Sequence, residues 1–173
     1  MKKFANFALF QAGWFACLVT AARGHMWLGP IAVAAIIALH LRYITERGER
    51  RAELIYILAV GALGALLDSV LGAIGATSYP TSEAAWGLAI VPPWITALWL
   101  LFATLPHHSM AWLRRRPLLS VVAGAVGGPL SYLAGSHFDA VGMSETPMLT
   151  WAALAVEYAI VMPLLMSLAR DVD

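Results

Sequence analysis

Apolar residues run along this chain in stretches of about 20, each long enough to cross a hydrocarbon layer of ~30 Å, with short polar or basic connections between them. The pattern predicts helices over about 4–22, 29–45, 54–77, 90–113, 117–136 and 147–169. The runs lack the polar face that a helix of a soluble domain carries. The expected architecture is an all-α membrane protein, a six-transmembrane-helix bundle in which residues 1–173 form a single polytopic domain.

Charge gives the bundle a direction. Lys2 and Lys3 precede the first run, Arg42, Arg47, Arg50 and Arg51 follow the second, Arg114, Arg115 and Arg116 follow the fourth, and Arg170 follows the sixth. Of the 11 basic residues, Arg23 alone falls on the opposite side. An excess of Lys and Arg in alternate loops marks the cytoplasmic face, so both termini are expected there. Trp27, Tyr79, Trp86 and Trp112 fall near expected interfaces, where amphipathic rings settle. The longest connections, "TSYPTSEAAWGLA" and "SHFDAVGMSETPM", are too short to fold alone.

Composition narrows the class further. With 61% hydrophobic and 12% charged residues and a mean hydropathy of +0.76, the chain lies outside the range of ordinary soluble domains. Its one cysteine, Cys17, excludes an intramolecular disulfide. The first 22 residues also have the outline of a signal peptide, but Gln11 and Gly13 interrupt the apolar centre, and the charge alternation works best if the segment stays as a helix.

Candidate chemistry lies in the polar residues within these runs. Asp68 recurs with Gly64, Gly72 and Ala76 at four-residue spacing, a small-residue stripe that should face other helices. Glu157 comes to a similar depth on the sixth helix. Each is about nine residues from its outer end, or roughly 13 Å at ~1.5 Å per residue. Intramembrane ionisable groups are costly and mark functional sites, although a protonated carboxyl that hydrogen-bonds a neighbour is the plainer reading.

A second constellation is "FATLPHHSMAWLRRRP". His107 and His108 should lie about 10 Å inside the inner interface, with Gln11 at a similar depth and His40 slightly shallower. Pro106 predicts a kink or break beside them. Adjacent histidines on an intact helix point about 100° apart, so both could ligate one ion only if the helix is broken. His40, His107 and His108 are the candidate metal ligands, and a metal ion is one candidate cofactor among uses that include proton transfer. His25 and His137 are expected to be solvated loop histidines.

The fifth run carries "GAVGGPLSYLAG". Gly124 and Gly128 form a GxxxG pair, and Gly127, Gly128 and Pro129 interrupt the helix centre. The reading is either a closely packed kinked helix or a broken one lining a substrate cavity with Ser131 and Tyr132. "RYITERGERRAE" is expected to be a solvated loop.

Five stretches, "NFALFQAGWFACL", "GHMWLGP", "LLDSVLGAIG", "HHSMAWLRRRPLL" and "GGPLSYLAG", together resemble a bacterial inner-membrane family catalogued as a domain of unknown function. The resemblance covers nearly the whole chain. It implies a bacterial inner-membrane location and a lipid-related role, through genes near those of enzymes like cyclopropane-fatty-acyl synthases, but assigns no chemistry. The stretches include Gln11, Trp14, His25, Asp68, His108, Ser109, Trp112 and Tyr132, whereas Glu157 lies outside them.

Three functions follow as expectations. The first is an enzyme or enzyme partner acting on membrane acyl lipids, with His107, His108 and Asp68 as catalytic candidates. The second is a small cation- or proton-coupled transporter or channel, in which Asp68 and Glu157 take the ion and the inner histidines pass it on; Gln11, Glu157, Tyr132 and Ser131 are the substrate- or ion-binding candidates. The third is a non-catalytic membrane scaffold. The expected partners are membrane lipid and lipid-modifying enzymes, with no nucleic acid.

Overall fold

A computed structural model describes residues 1–79 and 91–169. The described chain forms six α-helices: α1 Lys2–Ala22, α2 Leu28–Leu39, α3 Arg50–Ala73, α4 Pro93–Phe102, α5 Pro117–His137 and α6 Pro147–Leu168. Prolines occupy the first helical position of α4, α5 and α6, where the missing N–H has no helical partner to lose. Gly75, at φ 72°, turns the chain out of α3 through a conformation that side chains disfavour. A two-residue antiparallel ladder, β1 Thr77–Ser78 with β2 Gly142–Met143, ties the loop after α3 to the loop between α5 and α6.

Among the described residues, α1, α3, α5 and α6 are long and apolar enough to cross a membrane. Exposed Phe15, Leu58, Leu66, Val126 and Ile160 put apolar surface on their outward faces. This is the composition of an integral membrane protein. The other two helices are shorter. α2 is extended by a π-helical turn, His40–Ile44, and α4 has 10 residues, about 15 Å of rise.

The fourth helix therefore differs from the expected 90–113. It stops at Phe102 and continues through turns to a 3₁₀ turn at Ala111–Leu113. Pro106 accounts for the stop, since its ring would clash with the carbonyl of Phe102, four residues earlier. The irregular stretch sits inside protein, with Ala103, Thr104 and Leu105 buried, which is where non-helical backbone is tolerated in a membrane protein. The expected start of this helix at residue 90, the interfacial Trp86 and the terminal Arg170 lie outside the described residues. The third helix runs from Arg50 rather than 54 and ends at Ala73 rather than 77.

The core is built around α4, in which Trp94 and Leu101 are fully enclosed. α1, α2 and α3 all pack against α4, whereas α5 and α6 pack extensively on each other and touch α3 only lightly. Polar clips join the α5–α6 pair to the rest. The Tyr56 hydroxyl donates to the Leu165 carbonyl at 3.0 Å, and the Thr150 hydroxyl donates to the Ala76 carbonyl.

Candidate functional site

Asp68 is carried on the inward stripe of α3 and is 1% exposed. Trp99 of α4 donates Nε1–H to Asp68 Oδ2 at 2.6 Å, and the Tyr132 hydroxyl of α5 donates to Oδ1. The Tyr79 hydroxyl lies 3.3 Å from that of Tyr132 and accepts from Thr77 at 3.4 Å. Each carboxylate oxygen thus has a donor from a different helix, as a buried polar group requires.

Small residues make room for this arrangement. The Trp99 ring occupies the space a Cβ at Gly64 would need. Tyr158 of α6 stacks on Trp99 with centroids 5.3 Å apart and an interplanar angle of 21°. Gly124 and Gly128 lie against Tyr158, its backbone and its ring respectively, so the GxxxG pair serves close packing of α5 on α6. α5 is continuous from Pro117 to His137 with Pro129 inside it, which corrects the alternative of a broken helix.

Between α1, α4, α5 and α6 lies a cavity of about 280 Å³. Its wall is mostly apolar and carries aromatic side chains from several helices, among them Phe10 and Trp14 of α1, Phe102 of α4, Tyr132 of α5 and Tyr158 of α6. Among the described lining residues Asp68 is the only one with a charged side chain. Ser131 also reaches the cavity; its hydroxyl donates to the Gly127 carbonyl at 2.9 Å.

A second polar cluster occupies the end of the bundle that carries Lys2, Arg42 and Arg114. Glu53, 2% exposed, stands in the first turn of α3. His40 Nε2 lies 3.0 Å and His108 Nε2 3.6 Å from its Oε1, and His107 Nδ1 lies 2.7 Å from its Oε2. The break after Phe102 lets both adjacent histidines approach one carboxylate. Asn6 of α1 completes the cluster. Its oxygen accepts from Ser109 N at 3.2 Å and Ser109 Oγ at 2.6 Å, and its amide nitrogen donates to the Thr104 carbonyl at 3.0 Å. These two backbone groups orient the carboxamide unambiguously.

Asp68 and Tyr132 are thus brought together, as are His40, His107 and His108. The other sequence candidates stand apart. Glu157 is half-buried, outside the hydrogen bonds of Asp68, and its Oε1 is buried without a hydrogen-bond partner among the described residues. Gln11 is half-buried and joins neither cluster; Asn6 holds the place on α1 expected of it. His25 and His137 are exposed.

Glu53 corrects the reading of "RYITERGERRAE" as a solvated loop. The helix begins at Arg50, so Glu53 turns inward. A signal was present: Glu53, Tyr56, Ile57, Val60, Gly64, Asp68 and Leu71 form one helical stripe, and all are buried. Asn6 interrupts the apolar run "FANFALF" in the same way. Trp99 and Tyr158 carried no comparable signal among many aromatic residues.

No curated protein and no solved structure matches the chain. A family model described as a protein of unknown function, DUF2878, matches residues 3–164, nearly the whole bundle including both polar clusters, and the chain belongs to this family.

Proposed function

We propose that the protein is a bacterial inner-membrane protein, with six spans and both termini cytoplasmic, that takes the hydrocarbon chain of a membrane lipid into the cavity between α1, α4, α5 and α6. There it acts on the lipid as an enzyme or presents it to a lipid-modifying enzyme. The observation that carries this reading is the cavity itself: about 280 Å³, walled by apolar and aromatic side chains, with one carboxylate, Asp68, among its described lining residues. Pockets of this kind bind apolar ligands and use the few polar groups to fix their orientation. The short α4 does not conflict with six crossings, because it is enclosed by its neighbours and the irregular chain after it is buried.

Retained lipid in the purified protein provides the test. A cavity at Gly127 can be filled without disturbing the fold, because a Cβ there meets nothing within 4 Å among the described residues. Gly127→Leu is expected to fold normally and to lose most of the lipid that wild type retains on extraction and mass spectrometry. It is also expected to lose labelling by a photoreactive fatty acid. Equal retention and labelling in the two proteins would overturn the proposal. Proteoliposome flux that depends on Asp68 would favour the transporter reading instead.

A further inference from the structure

We propose that His40, Glu53 and His108 bind one divalent transition-metal ion, of the class that imidazole and carboxylate accommodate together, such as Zn²⁺, with His107 held against the second oxygen of the Glu53 carboxylate. This site is separate from the cavity. Along α3, Glu53 and Asp68 are about 22 Å apart at ~1.5 Å per residue.

The geometry has three parts. First, the donor atoms converge. Ligands at about 2.0–2.2 Å from a tetrahedral ion stand about 3.3 Å from one another, and three protein ligands leave the fourth position open. The contacts of 3.0 and 3.6 Å from Glu53 Oε1 to His40 and His108 bracket that spacing. One ligand atom each from His40, Glu53 and His108 lies within 4.8 Å of the others.

Second, the imidazoles have more hydrogen-bonding capacity than the protein satisfies. The His107 side chain is 8% exposed, and neither of its ring nitrogens has a well-directed hydrogen bond among the described residues. His108 Nε2 is buried in the same condition. Buried polar atoms without partners are rare and costly, and His108 Nε2, 3.6 Å from Glu53 Oε1, is accounted for by an ion between the two.

Third, two backbone irregularities deliver the ligands. The π-helical turn starts at His40, and the break at Pro106 directs His107 and His108 to the same point. π-turns inside helices are frequent at functional sites.

Asn6 bears on the tautomer. Its amide nitrogen faces His40 Nδ1 at 3.4 Å, so a neutral His40 carries its proton on Nε2, toward Glu53. Binding through Nε2 moves that proton to Nδ1 and displaces the long Asn6 contact there, while Ser109 N and the Thr104 carbonyl keep the carboxamide's orientation.

The experiment uses the full chain in detergent, stripped with EDTA and dialysed against Zn²⁺ or Co²⁺, with elemental analysis and visible absorption. The expected result is one ion per chain and a d–d spectrum with Co²⁺. Affinity should fall at least about tenfold in Glu53→Gln and in His108→Ala, and stay unchanged in His25→Ala, an exposed histidine. Monodisperse wild-type protein that takes up no stoichiometric ion would overturn the proposal, whether or not the variants fold. So would unchanged binding in the Glu53→Gln/His108→Ala double variant. Neither result bears on lipid retention in Gly127→Leu.

Discussion

Trp99 both donates to Asp68 at 2.6 Å and stacks on Tyr158, so one indole ties the buried carboxylate of α3 to α6. Trp99→Phe keeps the stack but removes the donor. A hydrogen bond to a charged or strongly polar buried group contributes about 1.5–3 kcal/mol. The variant is therefore expected to unfold in detergent with a stability loss of that order, measured by chemical denaturation. A change below about 0.5 kcal/mol would mean that Asp68 does not rely on Trp99.

Two glycines should respond in opposite directions to the same substitution. At Gly64 a Cβ would fall within the Trp99 ring, and overpacking of a tight contact costs about 1–3 kcal/mol. At Gly127 a Cβ meets nothing within 4 Å among the described residues, and alanine favours a helix by about 0.5–1 kcal/mol. Thermal denaturation should rank Gly127→Ala at or above wild type and Gly64→Ala well below it.

Glu53 is the common neighbour of three imidazoles, so its removal should exceed the effect of removing any one of them. Removing the shared carboxylate leaves several buried imidazole nitrogens without their acceptor, at about 1–3 kcal/mol for each unsatisfied group. Glu53→Ala is expected to show a loss of that order, with His40→Ala and His108→Ala each smaller. Denaturation midpoints of the three variants at one pH would settle the order.

Pro106→Ala removes no polar group, yet it should disturb the His/Glu cluster. Without the proline ring, α4 can extend past Phe102, and an extended helix would carry His107 and His108 about 100° apart. The expected outcome is added helix by circular dichroism together with weaker Zn²⁺ binding. Unchanged binding would show that tertiary packing, rather than Pro106, holds the break.

The class of the protein was legible in one dimension because a hydrocarbon layer imposes run length, and the expected helix starts at Pro117 and Pro147 are where proline is accommodated. The inward direction of Asp68 was legible for the same kind of reason, since Gly64 and Gly72 share its stripe on α3. A break near Pro106 could be expected from its chemistry. The companions of these residues were decided only in three dimensions. Counting depth along helices placed Asp68 beside Glu157 and Gln11 beside the histidines, but depth says nothing about rotation about the helix axis or about which helices are neighbours. Packing around α4 instead gave Asp68 to Trp99 and Tyr132, and gave His40, His107 and His108 to Glu53 and Asn6.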